Sequence, residues 1–418
     1  MRAAEQIIIF NRPGWVLSGA GLDMDFANNK YFAKTPADLT VTRASPTTTY
    51  AENTAGVWVP FSANAARITD KGLLVEESRT NSIRNNSMQG VAAGTPGTLP
   101  TNWSVTSLQQ SVVGSGTDNG LEYVDIRIQG TTGSTSLGIR FEPSNQIVAS
   151  SGQTWTESAF LSLRSGDFTN VTGFVLNEQG RTAANATNAD SIMGSDLRAS
   201  LSSVFTRYSL VGTLADATTA FINPQILVSF SSGVAIDFTL RVGWPQLELG
   251  AFITSPIRTT TATVTRSADA VSLTTCPFAS IASASVFIQY TASPTTFRIP
   301  WQIDDGSNAN AILLDQTSST SNRTESWSSS VQTVRAAATI TASSINKTAA
   351  AWSDGDWATV SNGGSVGTNG TAGLPTITSR VFRLGGAFGA NYINSYIQRI
   401  AIWPTTRIPN GVLQSITT

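Results

Sequence analysis

A chain of 418 residues has room for two or three domains, and 13% charged residues against 40% hydrophobic ones is a low charge content beside the roughly 25% of ordinary soluble proteins. Ten Trp and 18 Phe argue against disorder, and no apolar run reaches the roughly 20 residues of a spanning helix. A net charge of −1 with no Lys/Arg run excludes a phosphate-binding face, so no nucleic-acid partner and no membrane insertion are expected.

Ser, Thr, Asn and Gly stand where charge would be. Thr, Val and Ile suit pleated strands and Gly, Asn and Ser suit turns, which together describe an all-β chain. Histidine is absent, so Ser-His-Asp and Cys-His catalysis and His-ligated zinc are excluded. The single cysteine, Cys276, permits no intrachain disulfide. It is expected as a small buried hydrophobe in a protein folded in a reducing cytoplasm. The segment Ile7-Ile8-Ile9-Phe10 is too short for a signal-peptide core.

In chain order, residues 1–40 read as an N-terminal arm and anchor with a first strand pair. Arg12-Pro13-Gly14-Trp15 is turn punctuation, and Leu22-Asp23-Met24-Asp25-Phe26 alternates like an edge strand with solvated carboxylates. Residues 41–270 read as a first β-sandwich ending in a linker. Val41-Thr42-Arg43-Ala44-Ser45 and Gly72-Leu73-Leu74-Val75-Glu76-Glu77-Ser78-Arg79-Thr80-Asn81 are short strands between polar turns. There Arg43, Arg67 and Arg79 are expected to pair with Glu76 and Glu77 in a structural network, because Arg–carboxylate forks fix loops against sheets. The runs 155–163, 205–210 and 236–242 are strands bounded by Gly, Ser or Asn clusters.

Residues 271–418 read as a second sandwich. Two apolar runs, 297–303 and 311–315, flank Asp304-Asp305-Gly306, a hairpin signature. Ile397 to Trp403 alternates as a strand, residues 409–416 read as a short terminal helix, and no heptad repeat encodes a stalk. The fold expected is two tandem antiparallel β-sandwich (jelly-roll) domains behind a short N-terminal arm.

Two stretches carry a resemblance. Thr42-Arg43-Ala44-Ser45 and Gly72 through Asn81, then Gln246-Leu247-Glu248-Leu249-Gly250, then Thr265-Arg266-Ser267-Ala268-Asp269, follow one another as they do around the carbohydrate-binding-module-like sandwich of tailed-bacteriophage tail fibres, tail proteins and head spikes. Lys347 through Trp352, Asn362-Gly363-Gly364, Leu384-Gly385-Gly386 and Ile397 through Pro404 resemble a concanavalin A-like (laminin G-like) jelly roll. The resemblance implies a virion protein made in the host cytoplasm, with other virion proteins as partners and no cofactor. It implies contact with a host cell-surface polysaccharide, a purely architectural role as head decoration or tail component, or a polysaccharide-depolymerising tailspike. A homotrimer is expected, since closed symmetric oligomers are the common case.

The candidate chemistry is sparse. Glycoside hydrolysis needs two converging carboxylates. The pairs Asp304/Asp305, Asp354/Asp356 and Glu76/Glu77 are adjacent or nearly so, the first two in turn-like text, and neighbours on a strand face opposite sides. No catalytic residue is therefore assigned, and the protein is read as a non-enzyme. Asp304, Asp305, Asn308 and Asn310 are a weak calcium candidate, because calcium needs six to eight oxygens. The glycan site expected is the segment Trp352–Asn362, with Trp357 as an exposed stacking platform beside Asp354, Asp356 and Asn362, and with Trp352 in the core.

Overall fold

The computed structural model describes residues 12–418 apart from 47, 296 and 372. Among them the chain is all-β, and it forms two compact units that do not follow one another along the sequence. Residues 12–43, 64–77 and 268–418 form the first unit; 44–63 and 78–267 form the second. Among the described residues no helix is long and apolar enough to cross a membrane.

The second unit is a sandwich of a five-stranded sheet and a six-stranded sheet. The five-stranded sheet runs Gln109–Asp118, Leu121–Thr131, Ala235–Leu249, Thr154–Gly166, Thr206–Thr213, all antiparallel. Strict alternation sends Val124, Ile126 and Ile128, then Phe238, Leu240 and Val242, into one core shared with Phe174, Leu176, Ile226 and Val228 of the other sheet. On the opposite face of the five-stranded sheet, the hairpin Thr48–Glu52 and Trp58–Ser62 lays Tyr50 and Trp58 against Trp244 and Phe160 in edge-to-face contacts.

The first unit is a larger sandwich. In its nine-stranded sheet, Ser395–Trp403 lies between Leu22–Asp25 and Ser283–Thr291, and also pairs with Gly72–Val75. Its seven-stranded sheet runs Val331–Thr339, Ser321–Ser328, Ala311–Ser318, Arg298–Asp304, Val381–Leu384, Ala270–Leu273, Leu39–Thr42. Val286, Ile288, Ile400 and Ile402 from one sheet meet Trp301, Ile303, Ile312, Leu314 and Phe382 from the other. The terminal helix Asn410–Ile416 puts Leu413 on the outer face of the nine-stranded sheet, beside Trp403, Ala401 and Ala349.

Three expectations change here. The linear division into 1–40, 41–270 and 271–418 gives way to interleaved units, because strands from residues 22–42 and 67–75 complete the sheets of the C-terminal sandwich. The described part of residues 1–40 is therefore sandwich rather than arm, while residues 1–11 lie outside the described residues. Leu22–Asp25 is not an edge strand: it sits between Lys30–Phe32 and Ser395–Trp403, and Asp23 is buried in a two-pronged ion pair with Arg399 at 2.8 and 2.6 Å.

Candidate functional site

Cross-strand partners share a face of a sheet, so pairing register states what the outer face of the seven-stranded sheet carries. Gln302 lies opposite Leu313, and Leu313 opposite Glu325; Asp315 lies opposite Arg323, and Ala311 opposite Trp327. With Ile299 these line a cleft of about 380 Å³, the size range of small-ligand sites. Its rim includes Phe297, whose ring is 60% exposed and whose φ is +55°. A bulky residue in the left-handed region is strained, and such strain concentrates at functional sites.

The floor of the cleft is polar and closely packed. Arg323 bridges the two carboxylates: its Nη2 donates to Asp315 Oδ2 at 3.3 Å, and its Nε faces Glu325 Oε1. The Trp327 indole N–H donates to Glu325 Oε2 at 3.1 Å. Gln302 Nε2 donates to Asp304 Oδ2 and to Asn308 Oδ1, each at 3.1 Å. Burial, and then the neighbouring charge of Glu325, push the Asp315 carboxyl up to about 6, with Arg323 opposing. Among the buried acceptors of this floor, Asp315 Oδ1 and Gln302 Oε1 have no hydrogen-bond donor among the described residues, and Glu325 Oε1 meets Arg323 only as an ion pair.

The segment Trp352–Asn362 does not form the expected stacking platform. Trp352 and Trp357 are register partners and must share a face, and that face is the core. Both are fully buried, with ring centroids 6.1 Å apart, and Trp352 stacks in turn on Trp301. Trp357 therefore cannot lie flat against a sugar. Asp354 and Asp356 are exposed near the hairpin turn, Asp356 paired with Arg407 at 2.9 Å. Asn362 is a turn residue at φ +52°, accepting from the Lys347 amide and donating to Asn346.

The calcium candidate is a hydrogen-bonded loop. Arg383 holds Asp304 in a fork at 2.6 and 3.1 Å. Asp305 accepts from Ser307 and Asn310, Asn308 accepts from Gln302, and Asn310 accepts from the Ser329 amide. These contacts hold the four side chains within the loop and its neighbours rather than around a shared ion centre.

Within the first unit the structural network gains a member. Asp269 takes Arg43 at 2.5 Å on one oxygen; on the other it takes Arg67 and the Glu76 amide, and Arg67 also reaches Glu76 at 2.8 Å. Burial opposes the charge on Arg67, but Asp269 and Glu76 outweigh it and raise its pKa. Glu77 pairs with Arg298 at 3.2 Å and accepts from Asn394. Arg79 belongs to the second unit, where it donates to the Leu249 carbonyl and covers the Phe252 ring at 4.6 Å. Glu76 and Glu77 thus tie into the C-terminal sandwich.

No protein-family model matches the chain, and no curated protein matches it. Among solved structures, the tripod from the baseplate of bacteriophage Tuc2009 overlaps with a TM-score of 0.30 and 14% identity, over 73% of this chain and 98% of that one. Mouse laminin alpha1 chain, domains LG4-5, overlaps with a TM-score of 0.24 and 9% identity, over 71% and 100%. Superpositions this loose carry no argument about function.

Proposed function

We propose that this protein is a non-enzymatic bacteriophage virion component, of the tail or spike type, that holds a host-surface saccharide in the cleft on the seven-stranded sheet. The virion assignment rests on the order of the sequence motifs. The saccharide assignment rests on one observation, the cleft itself, where an exposed aromatic rim surrounds a buried floor of carboxylate, amide and guanidinium groups. Sugars present apolar ring faces to aromatic side chains and hydroxyl groups to such acceptors and donors. Binding rather than hydrolysis is favoured because hydrolysis needs two available carboxyl groups, and of the two in this floor Glu325 is held by Arg323 and the Trp327 indole, which leaves Asp315 without a second. A nucleophile or general acid needs an oxygen free to meet the substrate.

Single sites of this kind are weak, and repetition on a particle supplies avidity. The protein works in this reading as a homotrimer joined to other virion proteins through residues 1–11. Truncation of residues 1–11 should leave a folded chain that no longer enters particles; normal incorporation would remove the anchor assignment.

The cleft is tested by adsorption of the purified full chain to host cells. Trp327→Ala and Phe297→Ala should each lower adsorption about tenfold, a loss of roughly 1.4 kcal/mol, with the denaturation midpoint close to that of the parent. Folded variants that adsorb like the parent leave the architectural role as the better reading. Release of reducing sugar from host polysaccharide by the parent would replace binding with depolymerisation.

A further inference from the structure

We infer that the ligand of this cleft is a neutral, hydroxyl-rich saccharide that donates hydrogen bonds to Asp315 and Gln302, and that acidic sugars are rejected. The inference rests on the saccharide reading above and names the class of sugar.

The argument begins with unmet hydrogen bonds. A buried acceptor without a donor carries the full desolvation cost of its lone pairs, so orphan acceptors in a native protein call for explanation. Gln302 is fully buried and Asp315 is 5% exposed, and both line the cleft. Gln302 uses its amide N–H groups on Asp304 and Asn308, which fixes its orientation and leaves Oε1 as the acceptor without a donor. Arg323 takes Oδ2 of Asp315 and leaves Oδ1. The floor therefore asks its ligand for two donors. A sugar hydroxyl supplies a donor and keeps lone pairs for the donors around it.

Charge then narrows the class. Asp315 and Glu325 stand diagonally on adjacent strands with Arg323 engaged by both. A carboxylate or sulfate on the ligand would bring acceptors to a floor already in want of donors and would set like charges side by side without displacing either existing partner of Arg323. Like-charge contact is an effective way to reject a wrong partner. A neutral hexose unit meets neither obstacle, and its ring face suits the Phe297 rim.

The full chain is passed over immobilised neutral polysaccharides (a glucan, a galactan and a mannan) and over acidic ones (polygalacturonate and hyaluronate), with Gln302→Met and Asp315→Asn beside the parent. Gln302→Met removes one orphan acceptor at nearly constant volume, and Asp315→Asn removes the charge at constant shape. Expected is retention on at least one neutral matrix, retention on the acidic ones weaker by about tenfold or more, and a loss of about tenfold for Gln302→Met with the unfolding midpoint retained. Preferential retention on an acidic matrix overturns this inference and leaves the saccharide reading standing. Unchanged retention by both folded variants overturns the assignment to these two groups. Retention on no matrix and on no host cell overturns the saccharide reading together with the inference. If either variant fails to fold, the comparison of neutral and acidic matrices by the parent still decides the class.

Discussion

Asp269 shows how one carboxylate can hold two remote segments. Its side chain is 1% exposed and faces Arg43 and Arg67, 226 and 202 positions away in sequence. Asp269→Asn would take a buried negative charge away from the buried guanidinium groups of Arg43 and Arg67, and breaking a buried pair from one side costs about 3–5 kcal/mol. Chemical denaturation should show the loss in the transition of the first unit; a change below about 1 kcal/mol would contradict the geometry. Trp357→Ala should likewise cost about 3–5 kcal/mol, as for other large buried rings, and should impair adsorption only through unfolding. Arg43, Glu76 and Trp352 were legible in the sequence as structural residues. Asp269 was not, since its match to a linker motif says nothing about which distant cations it will meet. Trp357 was misplaced because its neighbours Asp356 and Ala358 suggest solvent, whereas hairpin register puts it opposite Trp352.

At the scale of the strand, two carboxylic acids break the pattern of the second unit. Trp155, Ala159 and Leu161 point into its core, so Glu157 on the same strand points there too; Glu178 does so from the facing sheet, in step with Phe174 and Leu176. Register partners of Glu157 are Leu210 and Leu247, and those of Glu178 are Ile192 and Pro224, so apolar neighbours flank both. Burial raises both pKa values, the charge of Glu178 adds to the rise at Glu157, and backbone amides oppose it; Glu178 is pushed up to about 9. An acid whose folded pKa is raised is protonated in the native chain while the unfolded chain has already ionised. Its stabilising contribution is full below the unfolded value of 4.5 and is lost as pH climbs to about 9. Glu178→Gln should therefore raise the melting temperature of the second unit at pH 8–9 and change it little near pH 4. Equal effects at both pH values would mean that ionisation is not the cause. Strands as such were readable from alternation, including 155–163 and the hairpin at Asp304-Asp305-Gly306, and the short terminal helix was readable beside them. The cleft was not readable, because Asp315, Arg323, Glu325 and Trp327 look like ordinary outward positions until adjacent strands are set in register.

At the scale of the whole molecule, sandwich architecture followed from composition, but the partition of the chain did not. Periodicity identifies strands and is silent on which sheet receives them, so segments 22–42 and 67–75 read as belonging to the nearest sandwich in sequence. A fragment starting at residue 271 lacks Leu22–Asp25, Leu39–Thr42 and Gly72–Val75, so Ser395–Trp403 keeps only Ser283–Thr291 as a neighbour and Ala270–Leu273 only Val381–Leu384. Expressed alone it should be insoluble or lack a cooperative thermal transition, whereas the full chain should retain the transition of the first unit. A cooperatively folded 271–418 fragment would mean that the earlier strands are dispensable additions.

The interleaving also sets an order in time. Leu22–Asp25 leaves the ribosome early, yet its partner is Ser395–Trp403, near the end of the chain. At elongation rates of about 5–20 residues per second the interval is on the order of tens of seconds. The second unit has all its segments by residue 267, so it can close while the nascent first unit still holds Leu22, Met24 and Leu73 exposed. The early strands therefore depend on shielding during synthesis, by chaperones or by neighbouring nascent chain, and translational arrest after residue 300 should yield a protease-resistant second unit attached to a protease-sensitive first one.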